Sequence, residues 1–521
     1  MSSNTSEKET GSEQQETINA RFVTGSILRH VINMTATTSV GLMSIFFVEL
    51  VDMYFISLLG EESLAAAIGF SGAITFFIFS ISIGLSIGLA AVVARVIGAG
   101  QGDQAKRVIF NGLLTSFVMM SFIAVPVYLY TEQLLSLVGA EGKTLEFAVK
   151  YMKITVISLP VISIGMSMGA VLRAVGAAKA SMISTVLAGI VNIVLDPLFI
   201  FTLDLHIEGA AYATLVARLT MAIVAAWVLA RQLGLSVFKF QGGLSGDISS
   251  ISKIAIPAAL TSLATPFANS YVTTSVAGFG ADAVAGLAII GRITPFAFAV
   301  VFALSAAIGP IVGQNIGAVQ TARVKSALNS SLLVIFVVVC ATSLIMTLFA
   351  DTIAAIFNAS GLSAELVVFF CIFTSWSFVF SGAQFIANAA FNNMNKATWS
   401  TFANWAKATV GTIPFIWLGG EWAGAKGIIA GQAIGSVLFG IITIIVAYKI
   451  VNNPINLTKK RDDRTRYFGA WLPAILPQFG WQRFMEERWN ADQRDEKKID
   501  KFSEIKSDMI SRTNHKSNSK K

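Results

Sequence analysis

Apolar stretches of about 20 residues or more recur twelve times along the chain, and nothing else in the sequence limits the fold as tightly. In hydrocarbon every backbone N–H and C=O must be satisfied within the protein, so segments of this length cross as helices. The spans are predicted at about 31–57, 64–97, 109–131, 145–173, 181–203, 208–232, 250–278, 284–316, 328–350, 362–392, 397–419 and 424–450. Soluble domains carry roughly 25% charged residues, whereas here 13% are charged and 54% hydrophobic. Phe (38 residues) and Gly (42) are both abundant, a balance that suits packed membrane helices, where small residues let backbones approach.

Lys and Arg gather in alternate connections. "GAGQGDQAKRV" (Gly98–Val108) follows span two, Arg173 and Lys179 flank the turn after four, and Arg231 and Lys239 follow six. Arg323 and Lys325 follow eight, Lys396 follows ten and "KKRDDRTR" follows twelve, while Lys143 and Lys150 break the pattern. The positive-inside rule then puts both termini in the cytoplasm, and the expected location is the cell's inner (plasma) membrane. The net charge of +8 does not imply nucleic acid, because residues 451–521 hold 16 basic and 10 acidic side chains and supply about six of the eight. That basic tail contains Trp471, Trp481 and Trp489 among prolines and charges, which reads as a segment lying at the membrane interface or docking. Residues 1–24 are polar at their start and are not a signal peptide; they read as a disordered cytoplasmic leader. Cys340 and Cys371 lie in apolar runs and His30, His206 and His515 are scattered, so neither a disulfide framework nor a metal spacing emerges.

The chain repeats itself. "VARVIGAG" (Val93–Gly100) returns as "VGQNIGAV" (Val312–Val319), and "RAVGAAKAS" from Arg173 faces "NNMNKATWS" from Asn392, both 219 residues on. "LGEESLAAAIG" from Leu59 returns as "FGADAVAGLAI" from Phe279, 220 residues on. Six spans per half is an even number, so the halves share one orientation and are related by an axis along the membrane normal. The expected architecture is all-α, with an N-lobe over 25–240, a C-lobe over 241–450 and a substrate cavity between them. That is a transporter's plan. No His-Glu-x-x-His, no Gly-x-Ser-x-Gly with a base and no facing Asp pair beside a Gly-rich helix speaks for an embedded enzyme, and the two-fold repeat with acids at membrane depth fits alternating access better than a receptor or channel.

Charges at membrane depth are few: Glu49, Asp52, Asp196, Arg218 and Arg292. Glu49 and Asp52 share a face of span one at i and i+3, and Asn192 and Asp196 lie one turn apart on span five. At the repeat offset Asp196 meets Phe415 and Asn192 meets Gly411, so the acids are confined to one half. Burial disfavours a charged carboxylate, and two acids with amide and hydroxyl oxygens can hold a proton or a hard cation such as Na⁺. The plainer reading is that Asp196 bonds a neighbouring helix where Pro197 frees a carbonyl, and that Arg218 pairs structurally or snorkels. In the second half Ser381, Gln384, Asn388 and Asn392 form an uncharged polar stripe at helical spacing, joined by Asn404, Trp405, Asn269 and Tyr271. Such a stripe serves either helix packing or a substrate. Tyr54, Phe76 and Phe77 are candidate aromatic walls for a cationic substrate.

"ELVDMYFISLLGEESLAA", "VIGAGQGDQAKRV", "YMKITVISLPVISIGMSMGAVLRAVG" and "NIVLDPLFIF", in that order, resemble the MATE family of multidrug and toxin extrusion transporters over about residues 25–450. The resemblance implies two six-helix lobes forming a V, exporting small organic, often cationic, drugs against inward flow of H⁺ or Na⁺. In a subset of prokaryotic members an N-lobe cation site uses an Asp on helix one, an Asn and Asp on helix five and a Thr on helix six. Asp52, Asn192, Asp196 and Thr214 match those motifs, with Glu49 and Arg218 as accessories, and H⁺ is preferred to Na⁺. No cofactor is implied, the partners are substrate and membrane lipid, and the chain is expected to act as a monomer. Members commonly carry a proline on helix one; the repeat sets Thr37 opposite Pro257 of span seven, and span one here has none. A lipid-linked glycan flippase of the wider superfamily is the neighbouring alternative, which calls for a more basic cavity than Arg218 and Arg292 provide.

Overall fold

A computed structural model describes residues 18–453. The first seventeen residues of the expected leader and the Trp-containing tail lie outside them. Among the described residues there is no strand, and the helices in order are α1 (Ile27–Ser57), α2 (Glu62–Gly98), α3 (Gly102–Leu129), α4 (Thr131–Leu137), α5 (Gly142–Ile157), α6 (Leu159–Ala174), α7 (Ala178–Pro197) and α8 (His206–Leu233). There follow α9 (Leu244–Ala277), α10 (Ala281–Ala297), α11 (Ala299–Gly317), α12 (Thr321–Leu348), α13 (Ala350–Ile356), α14 (Gly361–Phe369), α15 (Phe378–Asn393), α16 (Ala397–Ala408) and α17 (Ile413–Val451).

Ten of these stretches are long and apolar enough to cross a membrane singly, and α5 with α6, bent by 50°, make an eleventh crossing. The twelfth comes from α17, which reverses at Ala423 (φ −138°, ψ 20°) and Gly424 (φ 59°, ψ −142°). Only glycine reaches the second of those conformations without strain. Past the reversal the chain packs back on itself: Gly427 lies against the Gly419 carbonyl, Gly431 against Phe415 and Gly435 against Gly411, where a Cβ would strike backbone. Small residues at four-residue spacing thus let the two crossings touch along their main chains.

The repeat is carried by the helix ends. α3 and α12 begin 219 residues apart, as do α4 and α13, α5 and α14, and α7 and α16. The bend at Ser158 recurs as the 3-10 turn Ser375–Ser377, which follows a π-turn over Phe370–Thr374. Span five widens into a π-turn at Leu198–Thr202 directly after Pro197, whose ring removes a helix N–H. Two apolar cores centre on the halves, Leu89, Ile109, Met152 and Leu172 in the first and Leu304, Ile311, Leu328 and Phe391 in the second, and they interleave where Val31 and Met34 of α1 join the second and Ile251 and Ile254 of α9 the first.

The lobes meet closely at the end that carries the basic connections. Gly98 sits on the main chain of Gln314 and Gly317 on that of Arg95, one contact and its repeat-related copy. Gly84 and Gly88 of α2 press on α9 at Ala255 and Ile251, and Arg95 bonds the Asn395 amide oxygen. Arg107 of α3 makes a two-pronged ion pair with Asp247 at the start of α9 (3.1 and 3.2 Å), which Asn111 also reaches at 2.7 Å. Further along, the Phe46 and Phe296 rings still touch across the lobes, 6.0 Å apart, and beyond them Leu50, Tyr54 and Phe77 are exposed.

Residues 18–25 belong to this closed end. Polarity alone makes them, up to residue 24, part of a disordered leader, yet Phe22 is only 3% exposed. Its N–H donates to Gln314 Oε1 (2.8 Å), and Gln314 Nε2 in turn donates to Ala174 O (2.8 Å) in the other lobe. Arg323 donates to the carbonyls of Phe22, Thr24 and Gly25, and Arg21 donates to Gly176 O. A polar strap therefore ties the lobes together before α1 begins.

Candidate functional site

Asp52 stands on α1, and Asn192 and Asp196 on the last two turns of α7, which packs beside it. Close approach of the two helices is possible because Gly41 and Gly189 present no side chain: Gly41 faces Met182 and Thr185, and Gly189 faces Ser44 and Val48. Asp196 is fully buried, Asn192 is 4% exposed and Asp52 half-buried. Asn192 Nδ2 donates to Asp52 Oδ1 at 3.2 Å and to Asp196 Oδ2 at 2.9 Å. One amide thus joins two carboxylates. Asp196 Oδ1 is buried and accepts no hydrogen bond among the described residues. A buried carboxylate oxygen with open lone pairs is costly unless something fills it. Among the described residues no group of three or more His, Cys, Asp or Glu is placed to hold a metal ion.

The other residues expected at this site are placed differently. Thr214 lies beside the Tyr151 phenol and makes no described hydrogen bond to either acid or to Asn192. Arg218 turns toward the α5–α6 bend, donating to Ser158 Oγ (2.5 Å) and Thr155 O (3.3 Å) and lying over the Phe79 ring, so it braces a break in span four. Glu49 is exposed one turn before Asp52. α1 is one continuous helix past Thr37, whose hydroxyl bonds the carbonyls of Asn33 and Met34 where a proline would have freed one.

A cavity of about 440 Å³ lies inside the C-lobe, enclosed by α9, α10, α15, α16 and the second half of α17. It takes Ser381, Asn404 and Asn269 from the expected polar stripe and leaves out Gln384, Asn388, Asn392, Trp405 and Tyr271. Asn388 and Asn392 instead receive the Ser400 hydroxyl on α16, through a main-chain and an amide oxygen, and Trp405 donates to Leu260 O on α9. Those side chains join helices. Tyr54, Phe76 and Phe77 do not line the cavity either; all three are exposed.

Sequence reading overlooked one residue that the cavity singles out. Lys407 is the only charged side chain among the described residues that line it. The signal was available: a lysine stands mid-way along the predicted span 397–419. It was hidden by polar neighbours such as Asn404, Trp405 and Thr409.

Known proteins match this arrangement over most of its length. The MatE family model matches residues 38–198 and 257–418, once in each lobe. A protein named an FAD transporter from Shewanella oneidensis is 30% identical over 444 residues, covering 84% of this chain and 98% of that one. The multidrug export protein MepA of Staphylococcus aureus is 22% identical, covering 82% and 95%. In three dimensions the chain is similar to the Vibrio cholerae MATE transporter VcmN in its bent form, with a TM-score of 0.78, 24% identity and coverage of 83% and 98%. Two lobes, twelve crossings, a family match in each half and these relatives together place the chain in the MatE family: it is a multi-pass membrane transporter, not an enzyme.

Proposed function

We propose that the chain is a proton-coupled antiporter that exports small organic solutes across the plasma membrane by alternating access. The observation that carries this reading is the pair Asp52–Asp196 joined by Asn192, with Asp196 fully buried and its Oδ1 accepting no hydrogen bond among the described residues. Two carboxylates joined by one amide repel each other, so the pair gains by holding a cation. The Asn192 amide turns its nitrogen to both acids, because both offer only acceptors. A proton needs a single carboxylate oxygen, whereas a hard cation such as Na⁺ calls for several, and Thr214 makes no described hydrogen bond to either acid.

Position supports a cycle. Asp196 is 18 residues into α7, roughly 27 Å from the basic end at 1.5 Å per residue. With the lobes closed at that end, the pair is reached from the opposite, outer side. A proton entering there removes the repulsion between the acids and lets α1 and α7 settle together, which alters the N-lobe wall that faces the solute. Opening at the basic end releases the proton to the cytoplasm. Coupling requires the two states to differ in proton affinity, and a pair whose helices shift between states provides that difference. A membrane potential adds roughly 2.3 kcal/mol per charge per 100 mV. The relatives named an FAD transporter and a multidrug export protein support a small organic cargo.

The test is transport of ethidium and of riboflavin 5′-phosphate in proteoliposomes, with pH and Na⁺ gradients imposed separately, on wild type and Asp196→Asn. Movement of either dye under the pH gradient, lost in the variant, is expected. Movement that needs a Na⁺ gradient, or that is the same in the variant, sinks the proton-coupled reading.

A further inference from the structure

The C-lobe cavity holds a cation with no counter-ion. Lys407 lies about 15 Å along α16 from Ala397, near mid-membrane, too deep for its four-carbon stem to bring the ammonium to either interface. Its side chain has no hydrogen-bond or ion-pair partner among the described residues, and no acid lines the cavity. The end of α16 just beyond it, where the chain leaves helical geometry at Thr409, offers carbonyl dipoles and so only a partial negative charge. An intramembrane lysine left this way is costly unless a ligand supplies the missing charge. Around it the wall is of two kinds. Asn269, Gln432 and Asn404 bring amides, while Phe302, Phe378 and Phe385 bring rings. The Asn269–Gln432 contact is long, at 3.5 Å, so both amides have capacity to spare.

We infer that this cavity binds an organic anion, its carboxylate or phosphate on Lys407 and its ring or apolar body against the phenylalanines. About 440 Å³ is within the range of small-molecule sites. The inference rests on the exporter reading and names its cargo: the N-lobe acids serve the coupling cation, and the C-lobe lysine serves an anionic group on the solute. It departs from the cationic cargo that the family resemblance led us to expect.

The test measures binding without any gradient, so that coupling cannot decide it. The purified full-length protein is titrated with riboflavin 5′-phosphate and with riboflavin, which share a ring and differ by the phosphate, and flavin anisotropy is followed. Wild type should prefer the phosphate form by about 10- to 100-fold, the range for a charge-assisted hydrogen bond. Lys407→Met should lose that preference while still binding both forms weakly, and Lys407→Arg should keep most of it. A phosphate form that binds no tighter than riboflavin, absent binding included, overturns the proposal, as does a preference that survives in Lys407→Met. If Lys407→Met fails to fold, wild type against Lys407→Arg and the phosphate-to-riboflavin ratio in wild type still decide it. Loss of gradient-driven transport with the preference intact would instead fault the coupling reading alone.

Discussion

Replacing Phe22 by alanine should open the transporter at its closed end. The ring is 3% exposed, and truncating a fully buried Phe costs about 3–5 kcal/mol. That cost falls on the closed state in particular. The strap bonds Gln314 and Arg323 on one side and Gly176 on the other, and Gln314 itself donates to Ala174 O across the lobes, so these bonds cannot all be satisfied once the lobes part. Taking the lower figure, about 3 kcal/mol, a minority open population of 1 in 100 would rise to roughly parity. Double electron–electron resonance between labels at Gln232 and Lys325, exposed near the basic end of each lobe, would read the change. Cys340→Ala and Cys371→Ala supply the background. Wild type should give one short distance and Phe22→Ala a second, longer one of comparable weight. Arg323→Lys keeps the charge and loses the fork that spans three carbonyls, and should fall between them. A folded Phe22→Ala variant with the wild-type distance alone would refute the reasoning, since the buried ring would then stabilise both states equally.

Two further expectations concern stability. Gly435→Ala puts a methyl into the Gly411 carbonyl and should cost about 1–3 kcal/mol, lowering the melting temperature in detergent. Gly246→Ala, on an exposed helical position with nothing near, should leave it level or raise it slightly, and an equal drop in both would discredit the seam. Arg107→Met leaves the buried Asp247 carboxylate with Asn111 as its remaining side-chain partner and should cost about 1–3 kcal/mol, discounted because Arg107 is 32% exposed. Adding Asp247→Asn should recover most of that loss, and a double variant no more stable than the single one would count against the ion pair.

The sequence carried the fold because its signals were long and redundant. Twelve apolar runs and a constant offset survive errors of a few residues at any one boundary, and the break between the predicted spans 397–419 and 424–450 falls at the reversal of Ala423 and Gly424. The acid pair was legible for the opposite reason: Asp196 and Asn192 are conspicuous in a run with nothing else polar. What periodicity could not supply was direction. Gln384, Asn388 and Asn392 do share a helix face, but that face is packed against neighbouring helices and not against the cavity. Lys407 was lost among polar neighbours, and the strap was lost because a short polar segment with a single Phe resembles any leader. Its order comes from Gln314 and Arg323, about 300 residues away.

The glycine seam inside α17 bears on how the protein is made. Two residues, Ala423 and Gly424, are all that separate the eleventh crossing from the twelfth, and Trp422 beside them is 86% exposed, as suits a ring anchored at the membrane–water boundary. So short a link leaves no tether on which one crossing could lodge in lipid while the other waited in water. The two are expected to leave the ribosome and partition into the bilayer as a preformed hairpin, zipped along Gly411, Gly419, Gly427 and Gly435. On that face of the membrane the finished protein has no loop there for a protease to cut or an inserted tag to occupy.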